Sequence, residues 1–337
     1  MSCLFTTRIT ELFNTRLPIV AGGMQWLSDA DYVAAAARTG LMGFITAGSY
    51  PELEDLRREI RRCRELAEGL PFGVNVSMLP KLVEGEKTER IFDLIIEEGV
   101  RFVETAGRNP EPYLPKLHQA GIKVVHKVPT VRLALKAQEV GVDAVTVVGA
   151  ECGGHPGMEL VGTFVQAAVA ARELSIPLIV GGGVGSGAHL IAALALGAEG
   201  VIIGTRFLVA EEIWAHRSFK ERIVAARETD TTLMLQSVRN TLRALKNKTT
   251  EIVQQLEREH GDDMDISILM PYLSGKVGRE AYQSGDTSLG ALATGQAVAF
   301  ADRIEPLAAI VGRLEQEAHT TLERLRSFGP LASCGAY

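Results

Sequence analysis

Cysteine is scarce in this sequence. Four stand among 337 residues, at Cys3, Cys63, Cys152 and Cys334, with no CxxC pair and no histidine spaced to complete a zinc site. That excludes a disulfide-framed secreted module and a Cys–His metal centre, so a reduced, cytoplasmic chain without metal is the expectation. Long apolar runs are missing as well. Gly, Glu or Asp breaks each one short of the roughly 20 residues that span a bilayer. The opening stretch, MSCLFTTRITELF, lacks the unbroken apolar core of a signal peptide. Nor is there an excess of positive charge. The formal net charge is −6, so the surface as a whole repels nucleic acid and anionic membranes. Apolar residues at 46% against 23% charged leave an ordinary globular balance, sufficient for a real core.

Against these absences, one pattern recurs. Short runs of Val, Ile, Ala and Gly appear at Ile19–Gly23, Met42–Ala47, Phe72–Val76, Phe102–Ala106, Lys123–Val128, Ala144–Gly149, Pro177–Gly182 and Gly200–Thr205. They are continuously apolar rather than alternating, as parallel strands covered by helices are. Helix-favouring stretches separate them: Asp29–Thr39, Pro51–Glu68, Thr130–Val140, Thr163–Leu174 and Ala188–Leu196. Gly40, Pro71, Gly99, Gly121, Gly141 and Gly197 end a helix ahead of a strand. Strand–helix repeats at intervals of roughly 20–33 residues fit a closed (β/α)8 TIM barrel better than an open Rossmann-like sheet.

The barrel accounts for residues 1–210. About 130 residues follow Thr205, far more than one closing helix needs. Residues 211–288 read as an added, mostly helical subdomain whose clearest piece is the charged segment Thr231–His260. An amphipathic helical region from Leu289 to about Phe328, within 289–337, is expected to pack back on the barrel. Arg239, Arg243, Lys246 and Lys248 fall at near-helical spacing, as a solvated helix face or as a steering patch for an anionic partner.

A parallel barrel builds its active site from the C-terminal ends of its strands. The run Gly181–Gly187 (GGGVGSG) is neither a Walker A loop nor a GxGxxG fingerprint. After a seventh strand it matches the barrel phosphate site, where backbone amides close on a dianion and side chains would obstruct them. Gly204 and Thr205 supply the second half, with a hydroxyl to donate. Lys127, at the end of strand five, either faces a redox cofactor such as a flavin or pairs with Glu104 at the rim. Asn75 offers both a donor and an acceptor to a pyrimidine edge. His155, set in Gly149–Gly157 (GAECGGHPG), is the candidate acid or base. Cys152 beside it reads as a packing residue. Met24 and Trp26 read either as cofactor-facing gate residues or as core.

These residues sit in an ordered series of motifs: PIVAGGMQW (Pro18–Trp26), PFGVN (Pro71–Asn75), VETAG (Val103–Gly107) and HK (His126–Lys127), then GAECGGHPG, GGGVGSG and GTRF (Gly204–Phe207). RNTLRALKN (Arg239–Asn247) and GDTSLGALATGQ (Gly285–Gln296) complete it. In this the chain resembles the nitronate monooxygenase (2-nitropropane dioxygenase) superfamily of TIM-barrel oxidoreductases, which also holds FMN-dependent enoyl-acyl-carrier-protein reductases and NADH:quinone reductases. The resemblance implies FMN bound through Gly23, Met24, Asn75, Lys127, Gly153, Gly182, Gly183, Gly204 and Thr205, with His155 beside the flavin. Gln25 and Gly181, in the same loops, join the candidate set. The motif combination looks closest to the bacterial branch with the NADH:quinone reductase. It departs from that reductase type at Leu27-Ser28 and over 76–81, in loops that shape substrate access. The implied reaction is oxidation of an alkyl nitronate by dioxygen through the flavin. The alternatives are NAD(P)H-dependent reduction of a quinone or of an enoyl thioester, and a non-enzymatic flavin-binding protein. The implied partner is a small-molecule substrate, with NADH or NADPH as co-substrate in the reductase readings and homodimer formation left open.

Overall fold

The apolar runs become parallel strands because each is covered on both faces. They are β1 (Ile19–Ala21), β2 (Met42–Thr46), β3 (Gly73–Met78), β4 (Phe102–Gly107), β5 (Lys123–Val128), β6 (Ala144–Val148), β7 (Leu178–Gly181) and β8 (Gly200–Ile203). Each pairs with the next, and β8 pairs with β1, closing the barrel. This computed structural model describes residues 5–78 and 86–329. Cys3, Cys334 and the divergent loop beyond position 78 lie outside that range. The closed ring is the expected architecture and rules out the open sheet.

Strand residues divide by parity. Val20, Met42, Phe44, Phe102, Val125, Ala144, Ile179 and Ile202 fill the barrel interior, while their neighbours Ile19, Ile45, Val103, Val124, Val145, Val180 and Val201 pack outward under the helices. A helix ahead of the barrel, α1 (Arg8–Phe13), closes its lower end. Thr7 caps α1 through a reciprocal capping box. From it Phe13 meets Phe44 and Phe102 edge-on, with centroids 6.0 and 5.4 Å apart. Only the C-terminal end of the ring is left as a mouth.

The outer layer is α2 (Ala30–Arg38), α3 (Leu53–Ala67), α4 (Thr88–Glu97), α5 (Leu114–Gln119), α6 (Val131–Glu139), α7 (Thr163–Glu173) and α8 (Gly187–Ala195). In α3 the rule is plain. Leu56, Ile60, Cys63 and Ala67 form its one buried stripe, and Glu54 and Asp55 sit in its first turn. Among the described residues no helix is long and apolar enough to cross a membrane.

Between sheet and helices lies His126, 4% exposed, its Nδ1 2.8 Å from Thr105 Oγ1. Burial pushes its pKa down to about 4, with the Thr105 contact opposing and the Lys127 charge adding to the fall. The unfolded chain takes up this proton near pH 6.5, so the stabilisation is whole above that pH and is lost as pH falls toward 4. Its full size is about 3 kcal/mol. Thermal melts of His126→Gln are expected to lose less stability between pH 7 and 4.5 than the parent chain does; parallel profiles would discard this.

After β8 the chain continues through α9 (Arg217–Val224) into a feature the sequence pattern misrepresents. The helix expected over Thr231–His260 is an antiparallel hairpin, β9 (Thr231–Met234) with β10 (Leu242–Leu245), followed by α10 (Lys248–His260). The helix starts only where Asn247 caps it, its side chain accepting from Thr250 N. Ahead of it, Leu235 and Arg239 turn the chain with positive φ of 63° and 55°. The four basic residues therefore share no helix face. Arg243 lies on β10, 8% exposed, donating to the Ala150 carbonyl and to Thr231 Oγ1.

Two short helices follow, α11 (Ile266–Leu273) and α12 (Gly275–Ser284), before α13 (Leu307–Ser327). The last helix begins later than expected, because the stretch from Leu289 is irregular apart from a short 3-10 turn at Gln296–Phe300. It does pack back on the barrel. Ile310, Val311, Leu314 and Ala318 are its buried face, and Glu317 accepts from the first amide of α8, Gly187 N, at 2.7 Å.

Candidate active site

Inward parity continues past the core layer to the mouth. Two residues beyond Phe44 stands Thr46, beyond Gly73 Asn75, beyond Phe102 Glu104, beyond Val125 Lys127, and beyond Ala144 Thr146. On the other side of the ring, the same step leads to Gly22, Gly181 and Gly204. The mouth is thus polar on the five strands from β2 to β6 and glycine on the other three, from β7 through β8 to β1.

In the polar half, Glu104 is 1% exposed, and its Oε2 accepts from Asn75 Nδ2 at 2.5 Å and from Lys127 Nζ at 2.8 Å. The pairing of Lys127 with Glu104 is the rim ion pair considered from the sequence. Among the described residues Glu104 Oε1, Thr46 Oγ1 and Thr146 Oγ1 are buried with no hydrogen-bond partner. Buried polar atoms are seldom left so, and three on one face of one ring mark a place where something polar binds. His126 belongs to the other parity and does not enter this set.

In the glycine half, Gly181 is in register with Ile202, so the turns after β7 and β8 leave the sheet side by side. Gly182 and Gly183 carry φ of 92° and 76°, which a side chain rarely adopts. Among the described residues no hydrogen bond is made by the amides of Gly183, Val184 and Gly185. Thr205 Oγ1 accepts from Gly295 N at 2.9 Å, leaving its own proton to donate outward. The helix ends nearby are already used: Glu151 accepts from Thr163 N and Oγ1 at the start of α7, as Glu317 does at α8. The turn amides, not a helix N-terminus, are what remain for an anion. At Gly181 a Cβ would meet Ile202 Cγ2 at 2.2 Å, so that glycine serves strand packing.

The loop after β6 carries His155, and the misread hairpin is its seat. Gly154 and Arg243 exchange both backbone hydrogen bonds, at 3.0 and 2.7 Å. His155 Nδ1 lies 3.1 Å from the Thr241 carbonyl, so Nδ1 carries the proton and Nε2 presents a lone pair. His155 is exposed at the surface, yet the protein packed about it lowers its pKa by desolvation from the ordinary imidazole value, while the Thr241 and Asn240 backbone contacts oppose. A neutral imidazole with a free Nε2 is a base. Gly153 packs against Thr294 and Gly295, with a Cβ 2.7 Å from Gly295 N. Burial pushes the Cys152 thiol up to about 12, in keeping with a packing role.

The loop after β1 is held by its own side chains. Ser28 Oγ accepts from Met24 N at 2.8 Å and donates to the Gly22 carbonyl at 3.3 Å. Leu27 and Ser28, the departures noted in the sequence, are both 1% exposed and brace this turn. Gln25 Nε2 donates to the Gly48 carbonyl. At Gly23 a Cβ would lie 3.2 Å from Asn75 Cβ and 3.3 Å from Thr46 Oγ1, directly over the polar half. Trp26, with φ of 68°, stacks under Arg279 of α12 at 5.4 Å and accepts at its carbonyl from Trp214 Nε1.

Glu104, Thr46, Thr146, Thr241 and Arg243 lie in this candidate site, and the sequence-derived set omitted them. Parity along the strands was the signal for the first three; nothing local announces the last two.

Comparison with known proteins agrees with this arrangement. The sequence profile described as nitronate monooxygenase matches residues 6–317. A probable nitronate monooxygenase from Staphylococcus saprophyticus is 28% identical, over 92% of this chain and 97% of its own length. Among solved structures, FabK from Thermotoga maritima is 32% identical with a TM-score of 0.87, covering 96% of this chain and all of its own. A nitroalkane oxidase from Streptomyces ansochromogenes is 26% identical with a TM-score of 0.78, covering 94% of this chain and 99% of its own. With a match this long on a closed barrel whose mouth holds unpartnered polar atoms, the chain belongs to the nitronate monooxygenase family of oxidoreductase enzymes.

Proposed function

We propose that this enzyme holds FMN in the barrel mouth and oxidises alkyl nitronates with dioxygen. The observation that carries the proposal is the split ring. The buried layer that holds the unpartnered Thr46, Glu104 and Thr146 atoms suits a polar floor beneath a flat heterocycle, and the bare turn Gly183–Gly185 with Thr205 suits its phosphate. Asn75 and Lys127 would face the ring, and Gly23, Met24 and Gly204 would let it approach the β1 and β8 ends closely. Bound FMN would supply the two-electron acceptor that the side chains lack.

The chain's own part is proton handling. A neutral nitroalkane gives up its α-carbon proton to His155 Nε2, leaving the nitronate anion, and Nδ1–H stays on the Thr241 carbonyl throughout. The segment 211–288 serves as a cover for the barrel, its hairpin seating the histidine loop, and α13 returns to brace α8.

Purified protein is expected to be yellow, with the absorption of oxidised flavin. Anaerobic mixing with propyl-2-nitronate should bleach that colour faster than NADH or NADPH does. Rapid bleaching by NADH alone would overturn nitronate oxidation in favour of an NAD(P)H-dependent reductase, and a colourless protein that does not take up added FMN would overturn the cofactor.

A further inference from the structure

The mouth contains one ionic group that is sealed off beneath the residues meant to face the cofactor. Glu104 is 1% exposed, lies between Asn75 and Lys127, and gives the same oxygen, Oε2, to both. Lys127, by contrast, reaches toward the opening, its side chain 22% exposed. A lysine paired with a buried carboxylate is an unusual arrangement to keep for stability alone, because desolvating the two charges offsets most of their attraction. The contacts of Asn75 carry the same hint. One Nδ2–H donates to Glu104 and Oδ1 receives the Ser77 hydroxyl at 3.3 Å, so the amide's orientation is set, with its second N–H and the rest of Oδ1 left to face the mouth. One carboxylate therefore fixes both the net charge under the ring and the orientation of the amide beside it.

We infer that Glu104 is a positioning residue that tunes the bound cofactor, offsetting the Lys127 charge beneath the ring and holding Asn75 with its carbonyl oxygen presented. This rests on the FMN reading above. Reduction adds negative charge to a flavin, so a nearby cation favours the reduced form and a carboxylate partner restrains it. The pair sets the midpoint potential low while Lys127 remains in place for binding. The free Oε1 lies in the same layer as the Thr46 and Thr146 hydroxyls, so a donor reaching that layer meets three acceptors at once.

The test is the midpoint potential of the flavin-loaded protein, measured against a reference dye. Glu104→Gln keeps the shape and removes the charge, and is expected to raise the potential. The dye equilibrium should move by roughly tenfold or more, the size of one uncompensated charge about 10 Å away at an effective dielectric near 20. Lys127→Gln should move it the other way, and the double variant, neutral at both positions, should return close to the parent value. A carboxylate needed only for packing would give no opposite shifts and no restoration. Yellow Glu104→Gln protein with the parent potential overturns the inference. Should that variant fail to fold, Lys127→Gln decides alone: a potential unchanged from the parent also overturns it. Parent protein that takes up no FMN overturns the cofactor reading instead, so the two failures are told apart.

Discussion

Replacing His155 by alanine is expected to slow flavin reduction by a neutral nitroalkane by roughly 10²–10⁴-fold. Reduction by pre-formed nitronate should stay within a few-fold of the parent rate. The asymmetry follows from the tautomer. Nδ1–H is committed to the Thr241 carbonyl at 3.1 Å, so the one proton that the ring can accept goes to Nε2. That acceptor matters only when a C–H proton must be removed, and a nitronate has already lost it. The pH profile carries the sign. Desolvation lowers the imidazole pKa from 6.5, so the base form persists to the acid side of that value. The nitroalkane rate should hold from neutral pH to below 6.5 before it falls, and the alanine variant should lack this limb. Folding is little at stake, because the variant loses one hydrogen bond worth about 1 kcal/mol. His155→Asn, which retains a donor toward Thr241 and no base, should be as slow as alanine. Equal losses with both substrates would assign the ring to binding.

Local sequence specifies the barrel far better than it specifies the hairpin after β8. The strands were legible because a parallel strand buried on both sides is apolar at successive positions, and MGFIT or LIVG satisfy this without reference to anything distant. The glycine turns were legible for the related reason that close backbone approach and positive φ leave few other residues. The hairpin was not. Leu233, Val238, Leu242 and Leu245 fall at spacings that a helix would also produce, and the turn between the strands uses left-handed Leu235 and Arg239 where a glycine would have announced it. Its four-residue strands pair with each other and, at Arg243, with Gly154, a partner far away in sequence. Glu104 lay between these cases. Its place at a strand end was visible, and so was its pairing with Lys127, but its burial and its unused oxygen depend on five strands meeting.

Gly204→Val is expected to weaken FMN binding by roughly 5- to 150-fold while leaving the melting temperature of the apoprotein near the parent value. Of the inward glycines Gly22, Gly181 and Gly204, the last leaves the most room for a Cβ. Its φ of −112° is open to any residue, and the nearest atom to a Cβ there would be Met24 Sδ at 3.9 Å, ordinary contact distance. Gly181, by comparison, would drive a Cβ to 2.2 Å from Ile202 Cγ2, and Gly182 adds a left-handed φ, so substitutions at either confuse folding with binding. Two residues beyond the inward Ile202, Gly204 points any added side chain into the mouth. If a ring and its phosphate tail pass there, a branched side chain overlaps them at a cost of about 1–3 kcal/mol, which is the stated range of affinity. Fluorescence titration of apoprotein with FMN measures it, with a thermal melt of the same preparation as the control. Undiminished affinity in a folded Gly204→Val protein would mean that the ligand lies elsewhere on the barrel. The paired readout is what gives the substitution its force: lost affinity at constant stability can come only from space that the folded chain leaves open and the ligand needs.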